Sequence, residues 1–306
     1  MKSVENPYSD KIYFPVSGIT KGDLIRYYEE IADYMLPYLQ DRPLTMNRFP
    51  NGIAKQGFYQ KNASDYFPNW IKTEKIKKEG GWVNHVICND QETLRYLAGQ
   101  GTITFHVTLS KTDKLNYPDK LIFDLDPSGQ NFKSVMNAAQ ILRNLLEEEL
   151  KLSTYVMLTG SKGVHLVIPL MCVENFDEVR HFAKKVARYL AEKYPEDFTI
   201  EMRKDQRKGR LFLDYLRNSY AQTAVCPFSI RAFESAPVAV PISWDELAEM
   251  PNSRAYTIHT IFDRLREKPN PWKDFGKNAK ILSNANKKLE ILTNAQVEAD
   301  TISKSI

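Results

Sequence analysis

Asp124 and Asp126 stand two residues apart at the end of an apolar run, LIFDLDP. Side chains in a strand alternate faces, so both carboxylates point one way and Leu125 points the other. Two like charges this close repel unless a cation lies between them. Mg2+ or Mn2+, which prefer hard oxygen ligands, would resolve that conflict. A D-x-D-P string is also a common surface turn, because Asp before Pro favours turn initiation. Asp214 sits in a second apolar run, LFLDYL. A lone carboxylate there is costly unless it is paired or binds metal. A salt bridge to a nearby arginine would satisfy it. Joined to the D-x-D, it supplies the third acid that two shared metal ions need.

A third element is the turn TGSKGVH, with Thr159, Ser161, Lys162 and His165 around Gly160 and Gly163. Glycines let backbone approach a ligand closely. Lys162 offers a point charge and His165 a directional donor for phosphate oxygens. The turn is not a Walker A loop, since no G-x-x-x-x-G-K-[ST] occurs. A polar hairpin with a half-buried histidine is the plainer alternative. The basic run at 203–210 precedes Asp214 and suits a phosphate backbone, although most such runs are solvated loops. Phe58 and Tyr59, beside Lys61, suit base stacking, although paired aromatics are more often core.

The spacing of apolar residues predicts the elements that must hold these groups. A helix over 20–36 opens with a Thr20–Asp23 capping pattern and stops at Pro37. The segment 43–61 reads as strand and loop, 90–98 as a short helix and 102–109 as a strand carrying His106. A strand at 120–126 runs into the D-x-D. Helices follow over 134–150 and 177–193, with paired strands at 154–159 and 164–170 between them, and a strand at 211–216 after them. Ser243 to Glu246 opens another short helix. The stretch 284–306 is polar and weakly amphipathic, with little claim on the core. This β-α-β alternation predicts an α/β or α+β fold.

At 306 residues, 42% hydrophobic and 26% charged, the chain matches a globular protein able to bury a large core. A net charge of +4 permits a polyanionic partner without demanding one. Cys88, Cys172 and Cys226 are odd in number and widely spaced, which argues against a disulfide framework or a zinc knuckle. Cys172 and Cys226 read as core thiols. The N-terminal MKSVENPYSD does not resemble a signal peptide, and no apolar run reaches membrane-spanning length. A cytoplasmic, nucleoid-associated protein is expected.

In this order, the motifs resemble the archaeo-eukaryotic primase superfamily, and within it the polymerase domain of bacterial ligase D. The resemblance covers about residues 11–244 and includes KIYFPVSGITKGDLIRYY, GFYQK, FDLDP, TGSKGVHLVIPL, FLDYLRN, PFSIRA and APVAVPISWDEL. It implies an α+β primase-polymerase fold: an RRM-like catalytic sheet packed with an N-terminal α/β module, a single compact unit with a central cleft. The expected domain spans 1–292, divided into an N-terminal module (about 1–110), a catalytic module (about 111–250) and a C-terminal helical segment (about 251–292), with a polar tail at 293–306.

The resemblance also implies roles for named residues. Asp124, Asp126 and Asp214 are the expected catalytic metal ligands for two Mn2+ or Mg2+ ions. Thr159, Ser161, Lys162, His165 and Arg231 are expected at the nucleotide triphosphate, and His106 near its sugar. Phe58 and Tyr59 are expected to stack beside the template, with Arg48 and Lys61 alongside and Arg207 on a mobile basic loop. Lys11 and Lys21 are expected to grip a 5'-phosphate. The implied activity is end-joining repair synthesis: addition of ribo- or deoxynucleotides to 3'-hydroxyl ends at gaps and breaks, with DNA, a Ku-type protein and a DNA ligase as partners. Two rivals remain. LIFDLDPSG is similar to the first motif of haloacid dehalogenase-type phosphatases, with Asp124 as nucleophile and Asp126 as acid/base, although Ser128 stands where that class favours threonine. A non-catalytic DNA-end-binding scaffold is the other.

Overall fold

Thr20 accepts the backbone N–H of Asp23, and the Asp23 carboxylate accepts from the backbone N–H of Thr20, so the expected capping box opens helix Lys21–Glu30. The single helix expected over 20–36 is instead two. Ile31 closes the first and opens the second, Ala32–Leu39, which carries Pro37 inside rather than beyond its end. Proline removes a single N–H donor. Burial of Met35 and Leu39 and a bond from Gln40 N–H to Leu36 O keep the last turn in place.

The computed structural model describes residues 9–303 except 79, 128 and 130; the N-terminal residues 1–8, Ser128 and the last three residues, which figured in the sequence reading, lie outside these. Contacts gather into two units. One comprises the described residues up to 113, with 223–240 and 254–269; the other comprises those of 114–222, 241–253 and from 270 onward. Two later segments thus return to the first unit, which no linear division of the sequence foresees.

In the first unit a four-stranded sheet runs in the order Thr223–Val225, Thr102–Thr108, Leu44–Arg48, Phe58–Gln60, all antiparallel. Leu44, Met46, Ile103 and Phe105 are buried on it. Tyrosines from helix Lys21–Glu30 tie this core together: Tyr28 Oη donates to Ile103 O at 2.6 Å and Tyr27 Oη to Phe228 O at 2.7 Å. Helix Gln91–Gly99 is capped by Asp90. Gly101, in the left-handed region at φ +81°, turns the chain into the next strand.

In the second unit a six-stranded sheet runs Phe198–Thr199, Leu211–Asp214, Lys120–Asp126, Val164–Pro169, Tyr155–Leu158, Val240–Ile242. Taken in chain order, strand Lys120–Asp126, helix Phe132–Asn144, strands Tyr155–Leu158 and Val164–Pro169, helix Phe176–Lys193 and strand Leu211–Asp214 form a β-α-β-β-α-β unit with spatial order 4-1-3-2. This is the RRM-like sheet the resemblance implied. The helix expected over 134–150 ends at Asn144 and passes into a π-helical turn, Leu145–Glu149.

Two expectations fail. The stretch from 284 onward is not a tail: helix Ser283–Ser303 passes through the 292/293 boundary. Leu282, Ala285 and Leu289 are buried, and Lys185 of helix Phe176–Lys193 donates to Asn286 and Glu290. The apolar stripe is narrow, so the sequence looks polar while one edge still packs. Cys172 is not a core thiol. It is half-exposed with φ +54°, unlike the buried Cys88 and Cys226. No helix among the described residues is long and apolar enough to cross a membrane.

Candidate nucleotidyl-transfer site

Strand Lys120–Asp126 is buried along its length until Asp126, and it lies between strands Leu211–Asp214 and Val164–Pro169. The register sets Asp124 opposite Asp214 on one side and opposite His165 on the other. Residues directly opposite in an antiparallel pair share a face, and Asp126 shares that face by its spacing of two. All three carboxylates and His165 therefore stand on one surface of one sheet. Neighbouring β-carbons are about 5 Å apart across strands, and the alternate position along the strand is about 7 Å away.

Asp124 is buried. Its Oδ1 lies 3.5 Å from His165 Nε2 and its Oδ2 accepts from Arg217 Nε at 3.2 Å. Burial alone would lift this carboxyl, but His165 and Arg217 outweigh it and hold the pKa at about 2. Asp126 and Asp214 move upward, first through desolvation and then through the charge on Asp124. Asp214 Oδ1 accepts the Leu216 N–H at 2.7 Å, an Asx turn that ends its strand two residues earlier than the hydrophobic run predicts. Among the described residues no three His, Cys, Asp or Glu side chains converge as a ready ligand set, because the Asp124 oxygens turn toward Arg217 and His165. The donors still fit a hard divalent cation: three carboxylates, oxygen only, on one face, two of them raised by desolvation and by the charge on Asp124. The Arg217 guanidinium offsets part of that rise.

The glycine-flanked turn is fitted to this surface. A β-carbon on Gly163 would meet Leu125 O at 1.9 Å and Asp126 Oδ1 at 2.7 Å. Gly160 adopts φ +65°. Thr159 is buried and donates to Gly163 O at 3.0 Å, while Ser253 Oγ donates to the same carbonyl at 2.6 Å. Thr159 thus braces the turn, and Ser161 N–H points back to its hydroxyl at 3.4 Å. Lys162 is exposed, and its charge acts on Asp126. His165 is buried, with Nδ1 lacking a hydrogen-bond partner among the described residues. Arg207 rests over the Phe212 ring at 4.1 Å and donates to Glu201 O and Met202 O, so it holds its own loop together.

The first unit carries the remaining residues of interest. Phe58 and Tyr59 are 47% and 66% exposed on a sheet-edge strand, so they are surface aromatics, not core. The Tyr59 ring lies 5.7 Å from that of His106. Lys61 is exposed. Arg48 is buried, and its guanidinium is spent within the protein: on Gln100 O at 2.7 Å, Gln60 Oε1 at 2.5 Å and Tyr66 Oη at 2.9 Å, with the Phe58 ring at 5.5 Å. It fixes the aromatic strand from behind. Arg231 is half-buried and its N–H donates to Pro237 O. Lys11 Nζ donates to Pro50 O and Asn51 Oδ1. Lys21 begins a helix, and its pKa is lowered by burial and then by the charge of Lys11. Two lysines crowded at a helix N-terminus favour an anion.

The LigD primase-polymerase domain family matches residues 20–272. The chain belongs to that family. A primase-polymerase domain is a nucleotidyltransferase, and such domains are in general metal-dependent. It is 36% identical over 271 residues to the bifunctional non-homologous end joining protein LigD of Bacillus subtilis, covering 88% of this chain and 43% of that protein. It is 33% identical over 261 residues to the multifunctional LigD of Mycolicibacterium smegmatis, covering 84% and 34%. The chain thus spans less than half the length of these relatives. Among solved structures, the polymerase domain of Mycobacterium tuberculosis ligase D in complex with DNA superposes with a TM-score of 0.81 at 27% identity, over 89% of this chain and 98% of that one.

Sequence reasoning missed Arg217 and Asn218, which follow Asp214 in YLRN. Asn218 is wholly buried; it accepts the Ile122 N–H at 2.8 Å and donates to Ile122 O at 2.7 Å and Tyr215 O at 2.9 Å. An amide that pairs with both backbone groups of one residue substitutes for a strand, and so fixes the D-x-D strand against the segment carrying Asp214. Polar residues three and four places after a half-buried acid were the available signal.

Proposed function

We propose that this LigD-type domain extends 3'-hydroxyl ends at DNA gaps and breaks, choosing ends that carry a 5'-phosphate. The observation that carries the reading is the shared sheet face of Asp124, Asp126, Asp214 and His165. Asp124, Asp126 and Asp214 would hold two Mg2+ or Mn2+ ions, which when bound supply charge for an attacking hydroxyl and a leaving pyrophosphate. Lys162 places an exposed cation at the rim of that face, suited to triphosphate oxygens. The braced Gly160–Gly163 turn carries Lys162 close enough for its charge to act on Asp126. His106 and Arg231 are proposed at the sugar and triphosphate, Phe58 and Tyr59 at template bases, Lys61 and Arg207 at phosphates, and Lys11 and Lys21 at the 5'-phosphate. A Ku-type protein and a DNA ligase are the proposed partners.

The phosphatase alternative asks Asp124 to act as a free nucleophile. Here its two oxygens are engaged by Arg217 and His165, and Asp214 stands directly opposite it in register. The polymerase family match argues the same way.

The test is incubation of a labelled, gapped duplex with each NTP and dNTP, in Mn2+ or Mg2+. Wild type should extend the primer, and Asp124→Ala should abolish extension while still binding the duplex. Extension by Asp124→Ala at the wild-type rate would overturn the assignment.

A further inference from the structure

The C-terminal segment carries lysines in two clusters, Lys277–Lys280 and Lys287–Lys288, in an otherwise mixed polar stretch. The chain joins the second unit at 280: Lys280 bridges Leu170, and its N–H donates to Pro169 O. Helix Ser283–Ser303 follows, with Ala285 and Leu289 packed inward. Between this segment and the ends of strand Val164–Pro169 and the π-helical turn lies a groove of about 560 Å3. Its apolar lining, the floor, includes Leu152, Met171 and Ile281; its basic lining, the rim, is Lys151, Lys280, Lys287 and Lys288, and none of its lining residues is acidic. Ile281 and Met171 stay 39% and 55% exposed, so apolar surface faces water there.

Two further observations converge on the same place. Lys151 adopts φ +59°, a left-handed position after a helix that glycine occupies without steric cost. It follows the π-helical turn Leu145–Glu149, a geometry that recurs at functional positions. Keeping a long cation at a strained cap, with Lys280 Nζ bound to its carbonyl at 2.6 Å, points to use of the side chain. The family match ends at residue 272, so Lys280, Ile281, Lys287 and Lys288 lie beyond it.

We propose that this groove docks an acidic peptide segment of a partner protein, its carboxylates on the lysine rim and one or two aliphatic side chains on the floor. Charge complementarity selects the acidic occupant. The floor selects a peptide over a nucleic acid: the lining holds no aromatic residue for base stacking and no arginine for bidentate phosphate contacts. Lysine stems extend the apolar surface, with the Lys280 head already bound to Lys151 O.

Fluorescence anisotropy tests this with two short labelled peptides, one of glutamates flanking a pair of leucines and one of glutamates alone. The leucine-bearing peptide should bind more tightly. Lys287→Glu with Lys288→Glu, the first exposed and the second half-buried, should weaken it about tenfold or more, since like charges then face each other. Ile281→Ser should remove the preference for leucine. Primer extension on gapped DNA should stay at the wild-type level in every variant, so failure here leaves the polymerase reading untouched. Equal binding by wild type and the charge-reversed variant, equal binding of both peptides, or no binding would overturn the proposal. Loss of duplex affinity in the charge-reversed variant would instead make the groove a nucleic-acid grip, and would overturn it too.

Discussion

Gly163→Ala is the sharpest probe of how the site is assembled. The added methyl would fall 1.9 Å from Leu125 O, 2.7 Å from Asp126 Oδ1 and 2.8 Å from Leu125 C. The nearest of these atoms is backbone in the middle of a sheet, where Val164 pairs with Leu125, so no side-chain rotation relieves the clash. Overpacking of this kind costs about 1–3 kcal/mol where neighbours can shift, and a rigid strand places this case at the upper end. About 3 kcal/mol corresponds to a loss on the order of a hundredfold in the folded ratio, or roughly 6–12 °C in Tm. The alternative to unfolding is separation of the TGSKG turn from the D-x-D strand, which moves Lys162 away from Asp126. Gly129 is the control: it lies just beyond the same motif, and a β-carbon there meets nothing within 4 Å. Thermal melts and nucleotide incorporation should therefore show Gly163→Ala impaired in both and Gly129→Ala close to wild type in both. A Gly163→Ala protein that melts and extends like wild type would refute the close approach on which the site geometry rests.

Other expectations follow from individual contacts. Asn218→Leu strips Ile122 of two hydrogen bonds in a buried setting; at about 1–3 kcal/mol for each orphaned group, denaturant melts should show a large loss, with Asn218→Asp only partly restoring it. Lys11→Ala with Lys21→Ala should weaken binding of 5'-phosphorylated gapped DNA and leave 5'-hydroxyl DNA unchanged in a gel-shift titration; equal weakening would count against the anion site. Asp23→Ala removes the capping box and should cost about 0.5–2 kcal/mol at neutral pH. Desolvation pushes the Asp23 carboxyl up, but its bonds from Thr20 prevail and lower it. Its contribution is thus present above the unfolded carboxylate range and fades as pH falls through the lower folded value. Melts of wild type and variant should draw together as pH falls below about 4 and converge only below the lowered folded value.

Much of the second unit was legible because its strands are buried on both faces and its helices are long. The LIFDLD run, the two amphipathic helices and the Gly160–Gly163 turn each carry a local signal that the tertiary structure does not override. What escaped were features set by a distant partner. Pro37 was read as a stop, yet packing of Met35 and Leu39 carries the helix past it. The narrow stripe of Leu282, Ala285 and Leu289 has too small a face to register as periodicity, though it suffices to dock a helix. Arg48 was expected beside the template only because the family resemblance implies a basic residue there. Its burial under Gln60, Tyr66 and Gln100 depends on three segments meeting, which no spacing reveals.

The electrostatics of the sheet face join these pieces. Three carboxylates within about 7 Å of their neighbours do not share one ionisation behaviour. Asp124 is held low because His165 and Arg217 reach it, and its settled negative charge then pushes Asp126 and Asp214 upward on top of their desolvation. A further positive charge on this face would reverse that order for the two raised groups by substituting attraction for repulsion. Arg217 is only half-buried, with its side chain 41% exposed, so swinging into solvent costs it little compared with moving a strand. The strands and Asn218 thus fix where the carboxylates are, while Arg217, half in solvent, is the partner that can give way to a cation without disturbing them.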